Sequence, residues 1–260
     1  MMNFSFLSDI ERIKSREAGM GSGVSKLKRT FIIVAAWCSI SVPVAFAQKL
    51  DIGIDFLTGL PQNEFRDKIR ETGYGVSGHV GYFLGDMPIM VGAELGYLRY
   101  GSENHREYLS ETIPEIIVDV KTTNNILMFH GFARLQSQDG PVRPYVEGLW
   151  GFKYLFTRTS IKDNWYDEEI AATTNYDDIV GSRGLGAGVD FLLWNGNKRR
   201  NHPGVYDISL NVSARYLWGN KASYLKKGSI IRNEDGSLTY LVYRSTTDLL
   251  TPQFGLRIRF

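Results

Sequence analysis

The chain has 260 residues, with 30 basic and 28 acidic side chains and a formal charge of +2. That balance gives no electrostatic case for nucleic acid as a partner. A single cysteine, Cys38, excludes an internal disulfide framework and a cysteine-based metal site.

In chain order, the first feature is a sorting signal. Lys26, Lys28 and Arg29 precede the apolar run Thr30–Ile40, and Ser41–Ala47 ends in the small residues Ala45 and Ala47. A basic region, an apolar region and an A-x-A site predict a secretory signal peptide cleaved after Ala47. Residues Met1–Gly19 read as an extension upstream of it, with Met20 as the expected initiator in place of Met1 or Met2. Domain organisation is therefore 1–47, extension plus signal, and 48–260, the mature domain. Beyond the signal no apolar run is long enough for a spanning helix.

The mature part is a string of two-faced segments with the two-residue period of strands. Leu50–Leu57 sets Ile52, Ile54 and Phe56 against Asp51, Gly53 and Asp55. Tyr74–Leu84 sets Tyr74, Val76, Val80, Tyr82 and Leu84 against Gly75, Ser77, His79 and Gly81. Ile89–Tyr100 sets Val91, Ala93, Leu95 and Tyr97 against Gly92, Glu94 and Gly96. Asn125–Gln136 sets Leu127, Phe129, Ala133 and Leu135 against Met128, His130, Phe132 and Arg134. Pro144–Thr159 sets Val146, Trp150, Phe152, Tyr154 and Phe156 against Glu147, Gly151 and Lys153. Arg183–Trp194 sets Leu185, Ala187, Val189, Phe191 and Leu193 against Gly186, Gly188 and Asp190. Val205–Trp218 sets Ile208, Leu210, Val212, Ala214, Tyr216 and Trp218 against Asp207, Ser209, Asn211, Ser213 and Arg215. The closing strand, within Leu249–Phe260, sets Phe254, Leu256, Ile258 and Phe260 against Gly255, Arg257 and Arg259.

The connections alternate. Pro61–Gly73, Gly101 to about Asn124, Arg158–Ser182 and Gly219–Thr247 are long; Gly85–Pro88 and Ser137–Pro141 are tight, and Asn195–Gly204 is moderate. Eight strands in an up-and-down meander, with both ends on the short-turn rim, predict an all-β antiparallel transmembrane barrel. Ser229–Arg232 is too short for a span, so Leu238–Arg244 is expected to form a hairpin extending the last two strands; ten strands is the alternative. Alternation also suits a soluble lipocalin-like barrel holding a hydrophobic ligand. Three features favour lipid outside: glycine on the polar face, which suits a narrow lumen; amphipathic aromatics towards strand ends (Tyr74, Tyr97, Trp150, Tyr154, Tyr216, Trp218); and mixed charges at mid-strand. A charge network over Asp55, Glu94, His130, Arg134, Glu147, Lys153, Asp190, Arg215, Arg257 and Arg259 is then expected to fill the lumen, since buried charges need partners.

Signal, eight amphipathic strands, alternating loop lengths and a terminal Phe resemble the small outer-membrane β-barrel family of Gram-negative bacteria, the class of the outer-membrane protein A transmembrane domain and its porin-family relatives. The resemblance covers residues 48–260. It implies lipopolysaccharide and other outer-membrane lipids as surroundings, short turns in the periplasm, and long loops open to an extracellular partner. Gly255–Phe260 resembles the terminal signature read by the barrel-assembly machinery, which would make Phe260 an assembly signal.

No catalytic, metal or cofactor site is expected. Lipid A deacylases of this architecture place Ser two residues after His, but His130 is followed by Gly131 and Phe132, and Ser77 precedes His79. His105 and His202 fall in connections. His130 is expected to be a lumen residue bonded to a carboxylate. The acidic stretch Asp163, Asp167, Glu168, Glu169, Asp177 and Asp178 reads as a solvated loop, lacking EF-hand spacing. Lys221, Lys226, Lys227 and Arg232 are candidates for contact with lipid phosphates. The expected role is structural or surface-interactive with at most weak conduction. A small porin-like channel and a lipid-modifying enzyme stand as alternatives, and the residues leave the oligomeric state open.

Overall fold

The structure, a computed structural model, describes residues 50–110, 113–163, 169–196, 205–233 and 237–260. The expectations for Met1–Ala47, Asp167, Glu168 and His202 fall outside these residues.

Eight strands close into one antiparallel barrel: β1 (Leu50–Pro61), β2 (Gly73–Phe83), β3 (Ile89–Ser110), β4 (Ile113–Gln136), β5 (Val142–Asp163), β6 (Glu169–Asn195), β7 (Asp207–Gly219) and β12 (Leu249–Arg259). Each pairs with its sequence neighbours, and β12 returns to β1. The four short strands between β7 and β12 are β8 (Lys221–Tyr224), β9 (Ile230–Arg232), β10 (Leu238–Tyr240) and β11 (Tyr243–Thr246). They pair only among themselves, β8 with β11 and β9 with β10, so none joins the barrel wall. A helix, α1 (Asn63–Lys68), follows β1.

The wall is sheared. Cross-strand partners followed from Phe56 through Val76, Tyr97, Leu127 and Tyr154 arrive at Ile179 on β6. Followed the other way, through Phe254 and Val212, they arrive at Val189, ten residues further along the same strand. That stagger tilts the strands, as closing an eight-stranded sheet requires, and leaves an interior that side chains can fill.

Four strands outrun the alternating pattern. β3, β4, β5 and β6 have 22, 24, 22 and 27 residues, against the roughly ten that a tilted spanning strand uses. The stretches expected to be long loops after β3 and β5 are mostly paired strand, forming a four-stranded wall beyond the barrel. The physical reason is that alternation reports burial, while strand pairing needs only backbone N–H and C=O groups. Above the apolar belt both faces of Lys121–Asn125 and Arg158–Ser160 are polar, so the pattern ends although the ladder does not. Register shifts at Arg99/Gly101 and Thr157/Arg158 mark where the wall leaves the barrel proper.

Burial follows the period of two along the spanning parts. Ile54 (64% exposed), Leu185 (61%), Val76, Leu95, Phe254 and Leu256 point outward, while Asp55, Glu94, Arg134, Glu147, Asp190, Arg215 and Arg257 are buried inside. The inward glycines are spaces that neighbours occupy. A Cβ on Gly53 would lie 2.1 Å from the His79 ring, and one on Gly188 would lie 2.6 Å from Tyr145 and Ser213.

Candidate functional site: a lumen in two layers

The half of the lumen nearer the short turns is ionic, and every strand of the barrel contributes to it. Glu147 of β5 sits between two arginines: Arg134 of β4 donates from Nε (2.9 Å) and Nη2 (2.8 Å), and Arg215 of β7 from Nε (2.5 Å). Arg215 also donates from Nη1 to Glu94 of β3. A second chain runs across the lumen. Arg257 of β12 lies with Nε 3.1 Å from Asp190 of β6 and donates to the Tyr145 hydroxyl (2.8 Å). Tyr145 donates to Asn211 (2.9 Å), and Asn211 donates to Asp55 of β1 (2.7 Å). His79 of β2 lies between Asp51 (Nε2, 3.0 Å) and Asp55 (Nδ1, 3.7 Å). The Tyr145 ring joins the two systems, with the Arg134 and Arg257 guanidinium carbons 4.2 and 4.9 Å from its centre. Nearest the short-turn rim, Asp207 accepts from Arg143 (2.7 Å) and lies 3.7 Å from Arg259, which is 3.6 Å from Asp51. Desolvated charges of this kind are tolerable only when paired and hydrogen-bonded.

Two expected members have other partners. Lys153 reaches no carboxylate oxygen among the described residues; its Nζ donates to the backbone carbonyls of Thr247 (2.6 Å) and Leu217 (3.3 Å). His130 meets the Ser182 hydroxyl at 3.0 Å rather than a carboxylate. Both lie higher in the lumen, where the second layer begins.

That layer is apolar. Leu57, Leu98, Ile126, Leu155, Leu217 and Leu249 point inward from six strands and are almost wholly buried. Loop side chains fill the space between them. Phe65 of α1 stands edge-on to Tyr224 of β8 at 5.2 Å and to Tyr100 at 6.0 Å, and Ala222 and Leu225 are also buried. The β8–β11 arm thus lies across the mouth. The Tyr100 hydroxyl donates to the Leu225 carbonyl (3.1 Å), and the Gly228 amide to Glu103 on β3 (2.9 Å). Asp248 ties the base of the arm to the first loop: it accepts from Gly219 N–H (2.9 Å) and from the Asn63 side chain (2.8 Å). Burial pushes the Tyr224 phenol up; its bond with Ser245 opposes this and the Glu64 charge adds to it. Tyr224 is therefore neutral at physiological pH.

On the exterior, Tyr74, Trp150 and Trp218 are exposed, and Tyr97, Tyr154 and Tyr216 are half-buried. Tyr97 donates to Asn125 (2.7 Å), and Tyr216 accepts from Asn63 (3.0 Å). Both hydroxyls thus turn to polar groups near the long-strand rim. Trp150 lies deeper than strand-end placement implies, because Phe152, Tyr154 and Phe156 follow it outward on the same face of β5. Phe260 is half-buried, and its amide donates to the Leu50 carbonyl (2.9 Å), so the last backbone group is stitched to the first strand. Of the basic residues expected on lipid phosphates, Lys226 lies 4.2 Å over the Tyr243 ring and Lys227 is 3.7 Å from Glu71. From the acidic stretch, Asp178 accepts from the Ser223 amide at 2.8 Å and steadies the arm. Among the described residues no His, Cys, Asp and Glu cluster is arranged to hold a metal ion.

Sequence reasoning passed over Asp51, His79, Arg143, Tyr145, Asp207 and Asn211 as network members, although their parity matches that of their neighbours in the network. It also missed the apolar layer, whose signal is a doubled apolar residue at each strand's outer end: Phe56-Leu57, Tyr97-Leu98, Ile126-Leu127, Tyr154-Leu155, Leu217-Trp218 and Leu249-Leu250.

No protein-family model matches the chain, and no curated protein matches it. Among solved structures it is similar to Neisserial surface protein A, with 11% identity, 81% of this chain and 97% of that one covered, and a TM-score of 0.36. A major outer membrane protein from Thermus thermophilus gives 11% identity, coverage of 81% and 99%, and a TM-score of 0.35. The N-terminal β-barrel domain of Pseudomonas aeruginosa OprF gives 14%, 81%, 97% and 0.27 for the same quantities. At these TM-scores the likenesses carry no argument, and the functional reading rests on the barrel's own two faces.

Proposed function

We infer that the chain is an integral outer-membrane β-barrel with a structural or surface-interactive role and a closed lumen. One observation carries this: the apolar face of every spanning strand is outside and the charged face inside. In water that arrangement would expose an apolar girdle far larger than soluble monomers carry; in a bilayer it is the stable one. It is also the inverse of a lipocalin-like barrel, whose apolar face would line the cavity. Residues 1–47 are read as the export signal and its extension, 48–260 as the barrel domain. The short turns then face the periplasm, and the four-stranded wall and the β8–β11 arm face outward, open to an extracellular partner. Phe260, directly after the strand that closes the barrel, would serve the assembly machinery.

Two filled layers argue against a small-solute channel, and a His130–Ser182 pair shut inside the lumen offers no route to a lipid substrate, so no catalytic role is assigned. The test combines fractionation with electrical recording. The barrel should resist carbonate and urea extraction, migrate differently on gels before and after heating, and pass little current across a planar bilayer. Extraction by carbonate would overturn the membrane assignment; large stable conductance would overturn the closed lumen.

A further inference from the structure

Two prolines loosen one corner of the barrel wall. The ladder between β1 and β12 keeps one register from Asp51↔Arg259 to Pro61↔Leu249, yet Thr58 and Gly59 have no partner on β12. By that register Pro252 stands opposite Thr58, and proline has no N–H to give. Neighbouring bonds show which seam loses the donor. The Phe260 amide donates to Leu50 and the Asp248 carbonyl accepts from Gln62, both on the β1 side, whereas the Thr247 amide donates to Gly219 on the β7 side. Peptide groups alternate in direction along a strand. Pro252, in step with Asp248 and Phe260, therefore turns its nitrogen to β1, and the Thr58 carbonyl lacks a ladder donor. On the other side of β1 the ladder to β2 ends at Gly59↔Gly73, and Pro61 has no N–H with which to extend it. Leu60 and Pro61 are thus paired with β12 alone, above a break, and α1 follows them directly. The other irregularities in the barrel are register shifts near its two rims.

This corner is a flap with its hinge at Gly59. It carries Phe65 into the apolar layer, edge-on to Tyr224 and Tyr100. Asn63 ties it to Asp248 (2.8 Å) and Tyr216 (3.0 Å), and Glu64 accepts from the Thr246 amide (3.3 Å). Behind the break, Leu57 and Leu249 are wholly buried, and a Cβ on Gly59 would lie 2.5 Å from the Leu98 side chain. In front of it, Phe56 and Phe254 are exposed on the apolar belt, and Thr58 pairs with Tyr74 of β2. A wall that lacks a bond therefore separates the outer apolar face from the apolar layer of the lumen. Moving an apolar chain between these two places costs little, whereas a polar molecule would leave its water behind.

Granting the membrane reading above, we propose that residues 60–68 swing sideways at Gly59 and admit one unbranched hydrocarbon chain from the bilayer, which takes the place of Phe65 among Leu57, Leu98 and Leu249. The ionic layer stays shut beneath it. Only the chain enters, so no ester or headgroup reaches His130.

The barrel domain has no cysteine, since Cys38 lies upstream of residue 48, so a disulfide placed in it is the only one. Leu60 and Leu250 face each other across β1 and β12, within disulfide reach. Purified protein in phosphatidylcholine vesicles is irradiated with a diazirine-bearing hexadecane, and peptide mass spectrometry compares labelling of the inward Leu98 with that of the outward Leu95. The unaltered protein should label at both. Pro252→Ala, which gives Thr58 its donor, should lower the label at Leu98 about five-fold, the effect of one net hydrogen bond on opening, and leave Leu95 unchanged. Leu60→Cys with Leu250→Cys should lose the Leu98 label when oxidised and regain it when reduced. Ile54→Cys with Leu256→Cys, oxidised, ties the same two strands below the break and should change neither label. No label at Leu98 in the unaltered protein, or equal label with the upper disulfide open and closed, overturns the proposal; the second is the result for entry over the mouth. A barrel that stays folded and dispersed without lipid or detergent would instead defeat the membrane reading itself.

Discussion

The two layers of the lumen close the same barrel by opposite means. The layer near the short turns is ionic and belongs to the wall: Glu94, Arg134, Glu147, Asp190, Arg215 and Arg257 reach one another across the lumen. The layer at the mouth is apolar and half borrowed, since Phe65, Ala222, Tyr224 and Leu225 come from loops. Burying an ion pair is a near-balance of desolvation against attraction, and breaking one leaves a stranded charge. Burying leucine and aromatic rings is favourable at any registry that excludes water. The ionic layer therefore demands geometry, which a rigid wall supplies, while the apolar layer tolerates occupants that must fold in from outside.

This contrast orders the expected effects of substitution. The largest belongs to Glu147→Leu, which strands Arg134 and leaves Arg215 with Glu94 alone; loss of about 3–5 kcal/mol is expected, read as a lowered urea midpoint of the lipid-refolded barrel, with increased bilayer conductance. Phe65→Ala, in the mouth, should cost a comparable or slightly smaller amount, roughly 3–4 kcal/mol. Its signature differs: faster proteolysis within Lys221–Thr246 and no rise in conductance, because the ionic layer stays shut. If Phe65→Ala opened a current and Glu147→Leu did not, the assignment of the seal to the ionic layer would be wrong. Lys153→Met removes the donor to Thr247 and Leu217 at the junction of the two layers, and about 1–3 kcal/mol is expected for the unsatisfied carbonyls, with hydrogen exchange rising first at the base of the arm. The smallest change is Glu71→Gln, which removes the exposed partner of Lys227; less than about 1 kcal/mol is expected, below the scatter of most membrane-protein unfolding curves.

Part of this architecture was legible in residue order. Pairs such as Ile54/Asp55, Leu95/Glu94, Val146/Glu147 and Leu256/Arg257 declare two faces, and the turns at Gly85–Pro88 and Ser137–Pro141 declare which strand ends are short. Strand limits were not legible. Val118–Asn125 and Thr157–Ser160 stand beyond the apolar belt, where no solvent contrast forces alternation, yet their ladders continue. Partners were not legible either. Lys153 carries the charge expected of a network member, but a position beside Leu217 and Thr247 gives it carbonyls. His130 faces Ser182 because Gly151 of β5, the residue between them in the same cross-strand row, has no side chain to separate them.

What the sequence alone determined is the set of periodic quantities: strand number, two-faced character, and which residues share a face, because a period of two is a local property of extended backbone. Tertiary structure decided everything that depends on closure. A stagger of ten residues sets which of the inward side chains on eight strands meet. It brings Glu147 between Arg134 and Arg215. No local pattern encodes that stagger, since it is a sum of registers around the whole ring and acquires a value only when β12 pairs with β1.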